Sequence, residues 1–209
     1  MTRLKENQES ALTGMVCAMV VAQRYGKKYL RSAPRRTKDS WTPAQLLHRQ
    51  RFSSAIGFAK QFKNTLIPQI WKPEAQNMSG YGFFLKTNMP AFGSDGTLTD
   101  PKLIKLSTGK LTLPKNLQAS LIAVDSNRAQ VSWQKSFPWG GTRLKDELMV
   151  VSETDGQYSE SKATGLVRGL LGGTFDLPTK PQVMNSMNIY LFFASADRRD
   201  YSESVCFEV

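Results

Sequence analysis

Ile189-Tyr190-Leu191-Phe192-Phe193-Ala194 is a six-residue run without a charge, and it decides the fold class of the C-terminal half. Six residues is a strand's length and short for a helix, and β-branched and aromatic residues favour a pleated backbone. Comparable apolar runs recur around it: Leu117–Val124, Ala129–Trp133, Glu147–Val151, Gly165–Leu171 and Val205–Val209. Turn residues separate them, with Asp155-Gly156 and Gly172-Gly173 as hairpin or bulge signals. This succession of short strands across residues 113–209 is the pattern of a β-sandwich.

Upstream of residue 113 the pattern changes. Thr42 is a good helix N-cap and Pro43 suits the first helical position. Leu46, Leu47, Phe52, Ile56, Ala59 and Phe62, with Leu66 beyond, trace one amphipathic stripe. Pro68 is expected to end or kink this helix near Leu66–Ile67. Gln45, Gln50 and Arg51 read as capping and exposed-face residues. Before the helix, residues 15–34 read as a β-hairpin. Met15, Val16, Met19, Val20 and Val21 supply one strand, Tyr25-Gly26-Lys27 the turn, and Tyr29 and Leu30 the return, which Pro34 ends. Residues 35–41 read as a loop. Residues 68–112 are rich in Pro and Gly, with short strands expected at Gly82–Asn88 and Lys102–Ser107. Phe83, Phe84 and Phe92 are expected to pack under the helix stripe. The fold class is therefore mainly β, α+β overall. A hairpin and one long helix occupy an N-terminal module, 1–112, and an immunoglobulin-like sandwich occupies 113–209.

The charge is unevenly placed. Residues 1–72 hold 14 Lys/Arg and three acids, which accounts for the whole formal net charge of +11; residues 73–209 balance. The excess is densest at Arg24, Lys27, Lys28, Arg31, Arg35, Arg36 and Lys38, a segment without an acid until Asp39. Such asymmetry points to nucleic acid, an acidic protein surface or an anionic membrane, against a plain solvated face. With 40% hydrophobic and 22% charged residues, wholesale disorder is excluded. The apolar stretch 11–22 is too short to span a bilayer, which takes about 20 residues. Glu6, Glu9 and Gly14 argue against its being a signal peptide, so export is the weaker expectation.

Catalytic and metal-binding constellations are missing from the sequence. His48 is the only histidine, and spacing suggests no orienting partner for it as a general base. Cys17 and Cys206 read as buried free thiols, with a disulfide between them disfavoured. Gly169-Leu170-Leu171-Gly172-Gly173-Thr174 lacks the Gly-Lys-Ser/Thr ending of a phosphate loop and reads as a turn. Asp146/Glu147 and Asp197/Asp200 read as loop or strand-edge charges. Trp139-Gly140-Gly141 is an aromatic-bearing loop, either a contact site or a buried corner. No catalytic residue, metal or cofactor is expected.

Two resemblances add to this. Val131-Ser132-Trp133, Asp146–Val151, Leu177-Pro178, Ile189–Ala194 and Tyr201-Ser202 together resemble a fibronectin type III domain over 113–209. The longer interval between Leu177 and Tyr190 leaves that family's tyrosine-corner hydrogen bond open. The order Tyr25-Gly26-Lys27, Arg31-Ser32-Ala33-Pro34, Thr42-Pro43-Ala44-Gln45-Leu46 and Arg49-Gln50-Arg51-Phe52 resembles a family of bacterial proteins known as a domain of unknown function. Its signature is similar to that of phage and prophage structural proteins. This signature, the two-part architecture and the absence of catalytic residues together lead to the expectation of a non-enzymatic structural or assembly protein, in the cytoplasm or a virion, whose basic module engages an acidic subunit in a homo- or hetero-oligomer. Two alternatives stay open. One is sequence-non-specific nucleic-acid binding through residues 24–38; the other is an exported adhesion module.

Overall fold

The computed structural model describes residues 14–16, 18–24, 26–33, 41–122, 127–135, 141–179 and 187–209. They form two compact units, Met1–Leu46 and Leu47–Val209. The fold is mainly β with a helical segment, α+β overall.

The first unit holds a three-stranded antiparallel meander: β1 (Gly14–Val16), β2 (Met19–Arg24) and β3 (Lys27–Ser32), in that order. The expected hairpin is β2–β3, with Arg24 opposite Lys27 across the turn. Gly26 there has φ +76°, which glycine adopts without steric cost. The apolar segment before it forms two strands rather than one.

Helix α1 (Pro43–Lys60) starts where Thr42 predicts. The Thr42 N–H donates to Gln45 Oε1 (2.9 Å), and the Gln45 N–H donates to Thr42 Oγ1 (3.3 Å). This reciprocal capping box satisfies two otherwise orphaned donors. The stripe is only half buried. Within the helix, Ala59 of the stripe is sealed and Ile56 partly buried, whereas Leu46, Leu47 and Phe52 are exposed; Ala55 and Phe58, outside the stripe, are buried instead. Burial sets in only where the helix reaches the core of the second unit. The helix ends at Lys60, earlier than expected, and a π-helical turn follows at Ile67–Trp71. Pro68 sits inside that turn, where the Ile67 and Lys72 N–H groups each reach back five residues, to Phe62 and Ile67. A single-turn α2 (Lys72–Glu74) and then α3 (Gly80–Asn88) complete the helical segment.

Residues 82–88 are therefore helical, not a strand. Ser79 Oγ accepts from the Gly82 N–H (3.0 Å) and caps α3. A Cβ on Gly80 would lie 2.7 Å from the Lys72 backbone, so the two helical turns meet at a glycine. The expected strand at 102–107 is instead a 3₁₀ turn, Pro101–Leu103, and an irregular run.

Five of the six apolar runs of the C-terminal half lie mainly on strands, and eight strands form there among the described residues. These are β4 (Lys115–Leu121), β5 (Arg128–Gln134), β6 (Glu147–Thr154), β7 (Gln157–Tyr158), β8 (Lys162–Val167), β9 (Gly172–Asp176), β10 (Asn188–Ala194) and β11 (Val205–Glu208). One sheet has the order β4-β5-β9; the other runs β11-β10-β6-β7, with β8 also on β6. The run expected as one strand at 165–171 is the end of β8 plus a 3₁₀ turn that leads into β9.

The register assigns the core. Leu191 faces Val150 and Phe193 faces Leu148 across β10–β6, and they join Val131, Trp133 and Phe175 of the other sheet in one apolar cluster. The alternate residues pair too: Tyr190 with Val151 and Phe192 with Met149. They point the other way, into a second cluster with Phe58, Phe62, Leu66, Ile70, Trp71 and Phe84. β6 and β10 are thus buried on both faces, and the helical segment is a third layer. The division expected at residue 112/113 would cut through this cluster. Phe84 and Phe92 do lie beside the buried part of α1, with Phe83 packed against them. The Tyr190 hydroxyl donates to the Pro101 carbonyl (3.1 Å) in this layer, so it makes no tyrosine corner.

Polar staples join the layers. Trp71 Nε1 donates to the Leu106 carbonyl (3.0 Å), and Ser204 Oγ accepts from the Leu106 N–H (2.9 Å). Asn88 donates to the Phe84 and Lys105 carbonyls and accepts from the Lys105 N–H. Phe84→Ala is expected to cost about 3–5 kcal/mol in urea unfolding, as a fully buried aromatic truncation. A chain cut to residues 113–209 would expose Val151, Tyr190 and Phe192; we expect it to lack a cooperative thermal transition by near-ultraviolet circular dichroism.

Candidate functional site

Alternation along a strand and pairing across it decide where the basic side chains point. In β2–β3, Arg24 pairs with Lys27, Ala22 with Tyr29 and Val20 with Arg31. These residues share one face of the ribbon. Val21 pairs with Leu30 and Gln23 with Lys28 on the other. Three of the four described cations, Arg24, Lys27 and Arg31, therefore lie with Tyr29 on one face, and Lys28 lies opposite. Val21, on the Lys28 face, is the one residue of β2–β3 that is buried. Lys27, Tyr29 and Arg31 alternate along β3, about 6.7 Å apart at each step. Arg35, Arg36 and Lys38, which the sequence groups with them, lie outside the described residues, as does Tyr25.

The face offers point charges and one ring, and no nucleophile. It can neutralise regularly spaced anions, and Tyr29 can pack against an aromatic or apolar group between them.

Other sequence-selected groups are placed apart from it. His48 is exposed on α1. Gln50 Nε2 donates to the Asp95 carbonyl (2.7 Å), and the Arg51 guanidinium donates to the Met89 carbonyl (2.8 and 3.2 Å), so both hold the helix to the loop that follows α3. Cys206 is a buried free thiol, pushed up to about 11 by burial and so uncharged at neutral pH. Cys17 lies outside the described residues, as do Trp139 and Gly140. Of residues 169–174, expected as a turn, only Gly169–Leu171 lie in the turn between β8 and β9, with Leu170 and Leu171 exposed, while Gly172, Gly173 and Thr174 open β9. Asp197 accepts from Ser195 Oγ (2.6 Å), which holds its carboxyl below the usual range. Among the described residues no group of His, Cys, Asp and Glu is placed to hold a metal ion. No described helix is long and apolar enough to cross a membrane.

One pair was misjudged from sequence. Asp146 is no strand-edge charge: it is sealed, 3.4 Å from Arg168 Nε, with both side chains about 2% exposed. Burial raises the Asp146 carboxyl above its ordinary value, and the guanidinium partly offsets this. Arg168 Nη1 also donates to the Thr112 carbonyl (2.7 Å), and its guanidinium carbon lies 4.4 Å from the centre of the Phe193 ring. Trp133 Nε1 donates to the Arg168 carbonyl (3.0 Å). The pair is a structural joint at one end of the two sheets, and 22 residues of sequence separation hide it.

No protein-family model, curated protein or solved structure matches this chain. The site is therefore read from its own geometry. Arg168→Ala is expected to cost about 3–5 kcal/mol, because it strands a buried carboxylate. Asp146→Ala should cost much less in that background than alone, and a double-mutant cycle in urea measures the difference.

Proposed function

We propose that the protein is a non-enzymatic structural or assembly component, of the kind found in phage or prophage-derived particles. Its N-terminal ribbon engages an acidic partner. The observation that carries this reading is the segregation of Arg24, Lys27, Arg31 and Tyr29 onto one face of a ribbon that forms its own compact unit. Like charges on one face repel, and an anionic partner offsets that cost. Residues 113–209 act as a fibronectin type III-like sandwich that presents the ribbon. This is supported by the strand orders: taking β4, β5, β6, β9, β10 and β11 as A, B, C, E, F and G gives the sheets A-B-E and C-F-G of immunoglobulin-like domains. Arg35, Arg36 and Lys38 are proposed to extend the same surface.

A second reading is favoured by Tyr29. A ring between two cations on one strand suits a nucleic acid, whose bases stack while its phosphates are neutralised. With no reader motif, such binding would be indifferent to base sequence.

The test is a salt series with a mixed-sequence oligonucleotide and, in parallel, poly-glutamate. On a duplex, the triple variant Arg24→Glu, Lys27→Glu, Arg31→Glu is expected to flatten the log–log salt slope by about 2–3. Lys28→Glu, on the opposite face, should leave it within about 1 of the wild type. Binding to poly-glutamate alone keeps the assembly reading and removes nucleic acid. Binding to neither at low salt overturns both.

A further inference from the structure

A depression of about 550 Å³ opens in the second unit, between the π-helical turn, β6, β8, β10 and the turn after β10. Small-molecule sites commonly measure about 300–1,000 Å³. Its floor is apolar, made of Ile70, Met149 and Phe192. Gln69, Ser161, Arg198 and Tyr201 supply the polar groups.

Two of these groups are set in ways the fold alone does not require. The Tyr201 ring is more than nine-tenths buried, and its hydroxyl, which has no hydrogen-bond partner among the described residues, belongs to the lining of the depression. Such a hydroxyl is free to donate to a molecule that enters the depression. Burial raises this hydroxyl above its ordinary value, so it stays protonated and able to donate.

Arg198 is aimed by a strained turn. Its φ is +58°, in the left-handed region that β-carbon-bearing residues avoid. The turn is locked around Ser195. The Ser195 hydroxyl accepts from the Asp200 N–H (2.9 Å) and the Arg199 N–H (3.2 Å), and the Ser195 carbonyl accepts from the Arg198 N–H (2.9 Å). The guanidinium then lies against the Met149 thioether and pairs with Glu147. Glu147 is not part of the depression's lining. A guanidinium has five N–H donors, and these contacts leave others for a ligand.

The polar set is rich in donors above an apolar floor. That matches a compact acceptor on an apolar body. We propose that the depression binds a small monocarboxylate with an apolar ring or branched body. The carboxylate would accept from Arg198 and from the Tyr201 hydroxyl, and the body would lie over Met149 and Phe192. This site is in the second unit and is independent of the basic ribbon.

The test is a titration of the ¹⁵N-labelled full chain with benzoate, followed by two-dimensional NMR, with benzamide as the uncharged comparison. Saturable shifts confined to residues around 69–70, 161–163 and 198–201 are expected, with a Kd of about a millimolar. Benzamide should bind at least about tenfold more weakly, because it lacks the charge-assisted bond. Tyr201→Phe keeps the ring and should weaken benzoate about three- to tenfold. Arg198→Gly suits the left-handed backbone, so it should keep the fold and abolish the preference for benzoate over benzamide. No saturable shift with benzoate, or equal binding of the two probes by the wild type, would overturn the proposal. So would wild-type affinity in Tyr201→Phe.

Discussion

Between Ile189 and Ala194, strand β10 offers water nothing but one hydroxyl, so neither of its faces tolerates exposure. One face is satisfied in the ordinary way, against the sheet that holds Trp133 and Phe175. The other needs a cover of matching area. Phe58, Phe62, Trp71 and Phe84 provide it, and most of the helical segment is arranged to hold those rings in place. The π-helical turn, the Ser79 cap and the bare α-carbon at Gly80 all serve that packing. Each removes an obstacle to bringing two short helical turns onto a strand surface.

The ribbon follows a different logic. It has little core of its own, since Val21 is the only residue of its two long strands that is buried. Two strands with so little apolar burial gain little from packing, and their stability should respond to whatever neutralises the charged face. The molecule thus combines a well-packed scaffold with a charged element that buries little apolar surface in β2 and β3.

Much of this was legible in the residues. Five of the six apolar runs mark strands because short, mostly apolar runs between turn residues have few other uses. Thr42-Pro43-Ala44-Gln45 announces the helix start through a side-chain hydrogen-bond pattern that is local and therefore readable. The third layer was not read from the sequence, although an unbroken apolar run such as 189–194 calls for cover on both faces. Phe83 and Phe84 misled, because aromatic residues beside a glycine favour strands when tertiary contacts are ignored. Leu46 and Leu47 misled in the opposite sense: periodicity shows which face of a helix is apolar, not how far along it a partner extends. On the ribbon, the spacing of 27, 29 and 31 already put those residues on one face. Arg24 joined them only through the register. The Asp146–Arg168 joint and the depression around Tyr201 depend on contacts distant in sequence, which leave no local pattern.

The second apolar cluster also has a history within each molecule. Its helical half, through Phe92, is synthesised before β6, β10 and Tyr201. At about 5–20 residues per second, the interval is on the order of ten seconds. During it, Phe58, Phe62, Trp71 and Phe84 have no sheet to rest on. The nascent chain therefore carries a greasy, unfinished surface out of the ribosome, followed by strands with open edges. Until the C-terminal strands arrive, that surface is open to aggregation.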